Sequence, residues 1–250
     1  MPLPVAPFPA HPGFDAGVYP GDGVLQAWKA SGPYEWMGVY LVSPCHKDAS
    51  FSGKLSTIRG LGFGTALLYV GQQTFEGRPL VSHAARASVA AENMVTCSRT
   101  LLSAEQGKAD ALDAINRAAL EGAPPGSVIF LDVEYMSSVP QSMLDYYTSW
   151  IQALIEQGRY RPGAYVHRSN AVQLRDAALA RYAALNRTDE PEFWVATWNN
   201  FSLWARPSDV GLEWADAWQG TGDSAREFGG VTVRVDESVA RRASPSAPLP

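Results

Sequence analysis

The chain has 250 residues, of which 46% are hydrophobic and 18% are charged, a balance typical of a globular protein rather than a disordered one. This length suits a single α/β barrel as well as two small domains. The formal net charge of −5, without a run rich in Lys or Arg, argues against nucleic acid or an anionic membrane surface as the partner. We therefore expect a neutral or polar substrate.

The two ends of the chain are rich in Pro, Ser and Ala. Residues 1–12 are predicted to be a flexible segment and residues 241–250 a disordered tail, on either side of one domain at 13–240. No stretch approaches the roughly 18 to 20 apolar residues of a membrane span, and no secretory signal is visible. If the protein acts outside the cytoplasm, we expect another export route, or delivery as an effector or a lysin.

Strand-like runs alternate with helical patterns over the first two thirds of the domain. The predicted strands lie at 13–19, 36–42, 64–71, 127–135, 161–168, 192–200, 213–222 and 231–239. The predicted helices lie at 24–31, 51–62, 103–123, 140–158 and 170–186. Because a βαβα order forces parallel strands, this pattern predicts a single TIM-like (β/α)8 barrel with reduced helices in its last third. An open doubly wound sheet is the alternative.

The sequence offers little support for a cofactor or a metal. The glycines of "GLGFGTA" precede a strand, whereas those of a dinucleotide-binding loop follow a strand into a helix. There is no Cys-x-x-Cys pair and the histidines are isolated, so we expect no cofactor and no metal site. Cys45 and Cys97, the two cysteines, either form a disulfide or stay as separate thiols.

The stretch "VIFLDVEYM" places two acids beyond an apolar run. Side chains alternate along a strand, so Val128, Phe130, Asp132 and Glu134 share one face, while the other face is apolar except for Tyr135. In a barrel the first face points inward, and its acids lie at the C-terminal end, where barrel active sites form. Each acid alone could cap a helix or pair with an arginine, but burying both is costly without a purpose. We interpret the pair as functional.

Two further acids are expected at the same mouth. Asp15 lies in the first predicted strand and Asp236 lies near the end of the last. The first and last strands of a closed barrel are neighbours, so these acids could approach each other beside Asp132 and Glu134. Four converging acids would raise the pKa of at least one of them, as a general acid requires near neutral pH.

Aromatic side chains gather toward the same end of the predicted barrel. Their faces can stack on sugar rings, and an amide can add hydrogen bonds. The candidate substrate-binding residues are Tyr19, Tyr69, Tyr165, Trp198, Trp218 and Gln219. Trp194 and Trp214 are interpreted as core residues instead.

An ordered set of motifs resembles a known family. "GFDAGVYPG", "IFLDVEY", "GRYRPGAYVHR", "FWVATWN", "DAWQGTG" and "VRVDES" occur in the order seen in a bacterial glycoside-hydrolase-like domain of unknown function, a relative of the glycoside hydrolase family 25 lysozymes. The resemblance spans roughly residues 13 to 240. It implies a β/α barrel that cleaves β-1,4 bonds of peptidoglycan. The segment from Gln72 to Ser103 has no matching counterpart in family 25.

The resemblance also implies roles for the four acids. Glu134 would donate the proton to the leaving oxygen, and Asp132 would stabilise the oxocarbenium-like state or orient the acetamido group of the substrate. Asp15 and Asp236 complete the set. The expected partner is peptidoglycan or a related amino-sugar glycan, and we expect a monomer. The alternatives are a catalytically silent glycan-binding barrel, a hydrolase of another amino-sugar polysaccharide, and a metal-dependent hydrolase with an oxygen-only site.

Overall fold

The structure is a computed structural model that describes residues 10–75 and 97–249. Its strands are β1 (His11–Asp15), β2 (Trp36–Tyr40), β3 (Gly64–Val70), β4 (Val128–Val133), β5 (Arg161–His167), β6 (Glu192–Ala196), β7 (Ala217–Gln219), β8 (Ser224–Phe228) and β9 (Val231–Ala240). Its α-helices are α1 (Asp22–Ser31), α2 (Leu55–Gly60), α3 (Ala104–Leu120), α4 (Gln141–Gln157) and α5 (Arg168–Ala184). Short 3-10 helices lie at Arg99–Leu101 and Pro207–Val210.

Eight of the strands form a closed barrel, which confirms the predicted fold class. Strands β1 to β7 are parallel neighbours in chain order, and β9 closes the barrel between β7 and β1. Contrary to the all-parallel expectation, β9 runs antiparallel to both of its neighbours. The reason lies in its connection, because a parallel strand needs a long crossover whereas β8 and β9 form a hairpin directly after β7.

The β8–β9 hairpin extends beyond the barrel. Residues Ser224–Phe228 pair with Val231–Val235, whereas β9 joins the barrel only from Asp236 onward. Asp236 lies opposite Asp15, the last residue of β1. The hairpin therefore stands above the C-terminal ends of the parallel strands, where it forms one wall of the mouth.

The core consists of two layers separated by the strands. Large side chains fill the barrel interior, where Trp194 contacts Trp36 and Phe130 edge-on at centroid distances of 5.2 and 6.0 Å. The outward strand faces pack against the helices and form the larger layer. Helices α3 and α4 begin and end with local signals: the Ser103 hydroxyl accepts a hydrogen bond from Gln106 N at 3.2 Å, and Gly158 adopts the left-handed conformation after α4.

The C-terminal segment, predicted to be a disordered tail, is in fact packed against the base of the barrel. Backbone N–H groups at the starts of β3 and β4 would otherwise lack partners there. The Ser246 hydroxyl accepts a hydrogen bond from Leu67 N at 2.7 Å, and its carbonyl accepts one from Val128 N at 3.0 Å. The domain therefore extends to residue 249. At the other end, β1 begins at His11, within the segment predicted to be flexible, because it pairs with β9.

Cys45 and Cys97 form a disulfide, with their Cα atoms 4.9 Å apart. This resolves the two alternatives that the sequence left open. The bond ties the loop after β2 to the segment that precedes α3. Much of the long segment from Gln72 to Ser103, namely residues 76–96, lies outside the described residues.

Candidate active site

A cleft of about 650 Å³ opens at the C-terminal ends of the barrel strands. Strands β1, β4 and β9 each end or begin there, and their inward side chains converge on it. All four predicted acids line the cleft: Asp15, Asp132, Glu134 and Asp236. The inward alternation predicted for β4 is confirmed, because Val128 and Phe130 lie in the barrel interior below Asp132.

Asp15 and Asp236 share one amide donor. The Nε2 atom of Gln219, at the end of β7, lies 3.1 Å from Asp15 Oδ2 and 3.3 Å from Asp236 Oδ2. The other oxygen of Asp15 accepts a hydrogen bond of 2.7 Å from the Tyr40 hydroxyl. Gln219 in turn accepts a hydrogen bond of 2.5 Å from the Tyr165 hydroxyl. Neutral donors thus hold two acids side by side, and no arginine or lysine among residues 10–75 and 97–249 forms an ion pair with either.

The backbone around Asp132 and Glu134 is fixed by Gln73, a buried residue in the loop after β3. Its Nε2 donates to the Asp132 carbonyl at 2.8 Å, and its Oε1 accepts from Glu134 N at 3.1 Å. The nitrogen and the oxygen of its side-chain amide therefore both bond to the backbone of the residues that carry the acids. Gln73 is not among the predicted site residues, because no spacing pattern distinguishes a loop glutamine of this kind.

Asp132 differs from the other three acids in its surroundings. Its side chain is buried at 4% exposure, and its Oδ1 atom has no hydrogen-bond partner among residues 10–75 and 97–249. Burial, and then the charges of Glu134 and Asp15, raise the pKa of Asp132 well above its ordinary value. Burial therefore favours the protonated form of the Asp132 carboxyl group, which lines the cleft.

Burial also raises the pKa of the remaining acids. Burial is the main cause that raises the pKa of Asp15 to about 8, and the charge of Asp236 is the second cause. Burial is again the main cause that raises the pKa of Glu134 to about 7, and the charge of Asp236 adds to it. The pKa of Asp236 rises to about 6 for the same main reason, although the hydrogen bond from Asp223 N lowers it. Protonated and ionised carboxyl groups thus coexist in the cleft near neutral pH.

An ion pair lies at the hairpin side of the mouth. Arg234 Nε contacts Asp223 Oδ1 at 2.6 Å, and Asp223 N donates to Asp236 Oδ1 at 2.5 Å. Both Arg234 and Asp223 line the cleft. Arg234 therefore holds Asp223, and Asp223 in turn holds Asp236 from the solvent side.

The predicted binding residues divide into two groups. Tyr19, Tyr165 and Gln219 lie in the lining of the cleft. Trp198 lies just past the end of β6 at the rim, where its side chain is 55% exposed. Their contact with a substrate remains a prediction.

Two of the predicted binding residues are placed elsewhere by the structure. Tyr69 points out of the barrel, is fully buried and donates to Asp113 Oδ2 at 3.0 Å. Trp218 also points outward, because its neighbour Gln219 faces the lumen and side chains alternate; its Nε1 donates to the Thr197 carbonyl at 2.9 Å. Conversely Trp194, interpreted as a core residue, is buried but forms part of the floor of the cleft.

Several residues of the cleft were missed at the level of sequence. Tyr40 could have been found, because it ends a strand with the inward alternation of Trp36 and Gly38. His46 stacks on Tyr40 with ring centroids 4.6 Å apart, but it comes from a loop. Arg234 lies in the β8–β9 hairpin. No pattern in the sequence indicates that this hairpin extends above the barrel.

Within the described ranges, no group of three or more His, Cys, Asp or Glu side chains is arranged to hold a metal ion. No helix in the same part of the chain is long and apolar enough to cross a membrane.

A comparison with known families identifies the family to which the chain belongs. A family model described as "Rv2525c-like, glycoside hydrolase-like domain" matches residues 26–240. The chain belongs to this family. The resemblance stated from the sequence motifs is thereby confirmed. No curated protein matches the sequence significantly.

Solved structures with the same fold include proteins of cell-wall lysis. The bacterial lysozyme from Streptomyces coelicolor has a TM-score of 0.57 at 18% identity, with 91% of this chain and 90% of that chain covered. The Tat-secreted protein Rv2525c of Mycobacterium tuberculosis has a TM-score of 0.53 at 18% identity, with 92% and 94% covered. The autolysin LytC of Streptococcus pneumoniae, in complex with a synthetic peptidoglycan ligand, has a TM-score of 0.55 at 16% identity, with 92% and 46% covered. At these identities the likeness establishes the fold alone.

Proposed function

We propose that the protein is a glycoside hydrolase that cleaves β-1,4 bonds of peptidoglycan, with Glu134 as the general acid. The observation that carries the proposal is the state of the four carboxyl groups that line one cleft. Glycoside hydrolysis requires one protonated and one ionised carboxyl group beside the scissile bond. A pKa of about 7 for Glu134, with a pKa of about 6 for Asp236, is suited to that division near neutral pH.

In the proposed reaction Glu134 transfers its proton to the glycosidic oxygen as the bond to the anomeric carbon breaks. The leaving sugar departs as an alcohol, and water adds to the anomeric carbon, losing a proton that returns to the carboxylate of Glu134. The half-buried position of Glu134 in the lining of the cleft leaves it accessible to a substrate. Its backbone, held by Gln73, keeps the carboxyl group on the inward face.

Asp132 is suited to a different task. Burial favours the protonated form of its carboxyl group, and its Oδ1 atom lacks a hydrogen-bond partner among the described residues, so this group can bond to a polar group of the substrate. The acetamido group of an amino sugar offers both a donor and an acceptor for this position. Asp132 would thus orient this group toward the anomeric carbon, or stabilise positive charge there once it ionises.

Two further observations support a target outside the cytoplasm. The Cys45–Cys97 disulfide is of a kind that persists in oxidising compartments. The structurally similar proteins include a Tat-secreted protein and an autolysin bound to a peptidoglycan ligand. We therefore propose peptidoglycan as the substrate and the cell wall as the place of action.

The proposal is tested by the Glu134→Gln variant on purified peptidoglycan of defined composition. We expect release of reducing ends to be lost, because glutamine cannot donate the proton, while the fold and glycan binding are kept. Glu105→Gln, at an exposed position in the first turn of α3, serves as the matched control and should keep its activity. Mass spectrometry of the products identifies which bond breaks.

Two results would contradict the proposal. Unchanged release of reducing ends by Glu134→Gln would exclude this residue as the acid. Measurable binding of muropeptides by the natural protein, without turnover between about pH 4 and 8 where these acids titrate, would identify a glycan-binding barrel instead.

A further inference from the structure

Three aromatic rings form a continuous row outside the lining of the cleft. Tyr135 contacts His167 edge-on with ring centroids 5.0 Å apart, and His167 lies 6.0 Å from Trp198 at an interplanar angle of 35°. Tyr135 is 57% exposed and Trp198 is 55% exposed. Large aromatic side chains that lie together at the surface indicate a binding surface more often than isolated ones do. We call Tyr135, His167 and Trp198 the aromatic rim.

The aromatic rim continues the cleft rather than forming a separate surface. Tyr135 directly follows Glu134 after β4. His167 comes two residues after Tyr165 on β5 and shares its face of the strand, whereas Trp198 lies two residues past the end of β6, with its ring 6.0 Å from that of His167. The rim therefore lies at the ends of three adjacent strands, on the side of the mouth that carries Glu134.

The rings of the rim are held in place. A Cβ atom at Gly222 would lie 3.0 Å from Trp198 Nε1, so the glycine in the β7–β8 loop allows the indole to pack against the loop. His167 Nδ1 accepts a hydrogen bond of 3.2 Å from Ser169 N, which places the proton of the neutral ring on Nε2. Pre-positioned rings lose little conformational entropy when a ligand stacks on them.

The chemistry of the rim suits a neutral ring with an apolar face and polar edges. Burial lowers the pKa of His167, which favours its neutral imidazole near neutral pH. The Tyr135 hydroxyl and His167 Nε2 add hydrogen-bonding groups at the ring edges. A pyranose has this combination of an apolar face and polar rim, whereas phosphate or a nucleic acid would require positive charge.

From these contacts we infer that the aromatic rim is a distal subsite, which binds sugar units of a glycan chain beyond those held between the acids. The inference rests on the proposed function, because the same chain must pass through the cleft. Tyr135, Trp198 and His167 would then determine the length of glycan chain that the protein prefers. A short oligosaccharide fills only the cleft, whereas a longer one also stacks on the rim.

The test measures binding by calorimetry, with the Glu134→Gln protein as the parent to prevent turnover. The probes are a GlcNAc–MurNAc disaccharide and a hexasaccharide of the same repeat, both prepared from peptidoglycan. Because each ring would stack on a sugar unit, we expect Trp198→Ala and Tyr135→Ala each to weaken hexasaccharide binding by roughly three- to tenfold, which is about 0.7–1.4 kcal/mol. Disaccharide binding should change by less than about twofold.

Matched variants separate the rim from general effects. Trp204→Ala removes another exposed indole, at 77% exposure in the β6–β7 loop, and should leave both affinities unchanged. Trp198→Phe keeps an aromatic face and should retain most hexasaccharide affinity. It also provides the measurement if the alanine variant fails to fold, as judged by circular dichroism.

The outcomes distinguish the two proposals. Hexasaccharide binding that is unchanged in both Trp198→Ala and Tyr135→Ala, or equal losses for the two probes, would overturn the distal subsite alone. A Glu134→Gln protein that binds neither probe would overturn the proposed function, and the role of the rim with it.

Discussion

Asp15 lies directly opposite Asp236 in the antiparallel pair of β1 and β9, at the junction that closes the barrel. One side-chain amide, that of Gln219, lies within 3.3 Å of both carboxyl groups. In a barrel with an all-parallel sheet, these two acids would come from strands running the same way. The reversal of β9 makes them direct partners, and it places the β8–β9 hairpin above them.

This pair should make the stability of the protein depend on pH. The folded protein holds protons on Asp15 up to about pH 8, mainly because of burial, whereas the unfolded chain releases them near pH 4. Between these values the folded state binds more protons, so the free energy of unfolding falls as the pH rises. We expect Asp15→Asn to reduce this fall between about pH 5 and 8, measured by urea unfolding.

Asp145→Asn is the control for this prediction. Asp145 lies at an exposed position on α4, so its replacement should leave the slope of stability against pH unchanged. A slope as steep in Asp15→Asn as in the natural protein would show that Asp15 does not hold the proton.

The activity on peptidoglycan should decline on the alkaline side as Glu134 loses its proton. Because the pKa of Glu134 is about 7, we expect kcat/KM to fall above about pH 7. The charge of Asp236 contributes to raising that pKa, so Asp236→Asn should move the alkaline limb to lower pH. Asp209→Asn, in the 3-10 helix before β7, should leave the alkaline limb at the same pH. A shift of this limb to higher pH in Asp236→Asn would contradict the assignment.

Removing the Gln73 amide should impair catalysis more than binding. Gln73→Leu leaves the Asp132 carbonyl and the Glu134 N–H without partners, which we expect to lower the free energy of unfolding by about 2 kcal/mol. A displaced Glu134 should lower kcat by at least about tenfold with little change in KM.

The matched control for Gln73 is Gln141→Leu. Gln141 lies on the exposed start of α4 and donates to Asp145 at 2.8 Å. Its replacement should leave kcat unchanged. A Gln73→Leu protein that loses stability but keeps its kcat and pH profile would limit Gln73 to a structural role.

The packed C-terminal segment should contribute measurably to stability. Ser246→Ala removes the acceptor for Leu67 N inside the base of the barrel, and an unpaired buried N–H costs about 1–3 kcal/mol. Urea unfolding should show this loss, whereas Ser137→Ala at an exposed position should show almost none. Equal stability of Ser246→Ala and the natural protein would mean that water replaces the hydroxyl.

Strand alternation allowed the central part of the site to be predicted from sequence. A run that is apolar on both faces and then carries Asp132 leaves one consistent orientation, and the structure has it. By the same rule the adjacent residues Trp218 and Gln219 cannot both face the lumen, and Gln219 is the one that does. Tyr69 was ambiguous, because both faces of β3 are apolar and nothing in the pattern marks the inward one.

Long-range pairing explains what the sequence left undecided. The direction of β9 depends on which strands it joins, and "VTVRVDESV" has the same alternation in either direction. The C-terminal segment has the composition of a disordered tail, yet it supplies acceptors for N–H groups at the starts of strands more than a hundred residues earlier. Local composition carries no information on such contacts.

The base of the barrel is where both described ends of the chain leave the fold. His11 is paired with Ala240 there, and the C-terminal segment then crosses beneath β3 and β4. A label joined to the first strand at His11, or to the segment around Ser246, would therefore start on the side of the barrel opposite the four acids. The mouth would stay open to a bulky insoluble polymer, so protein immobilised through the base should keep any activity that protein in solution has on such a polymer.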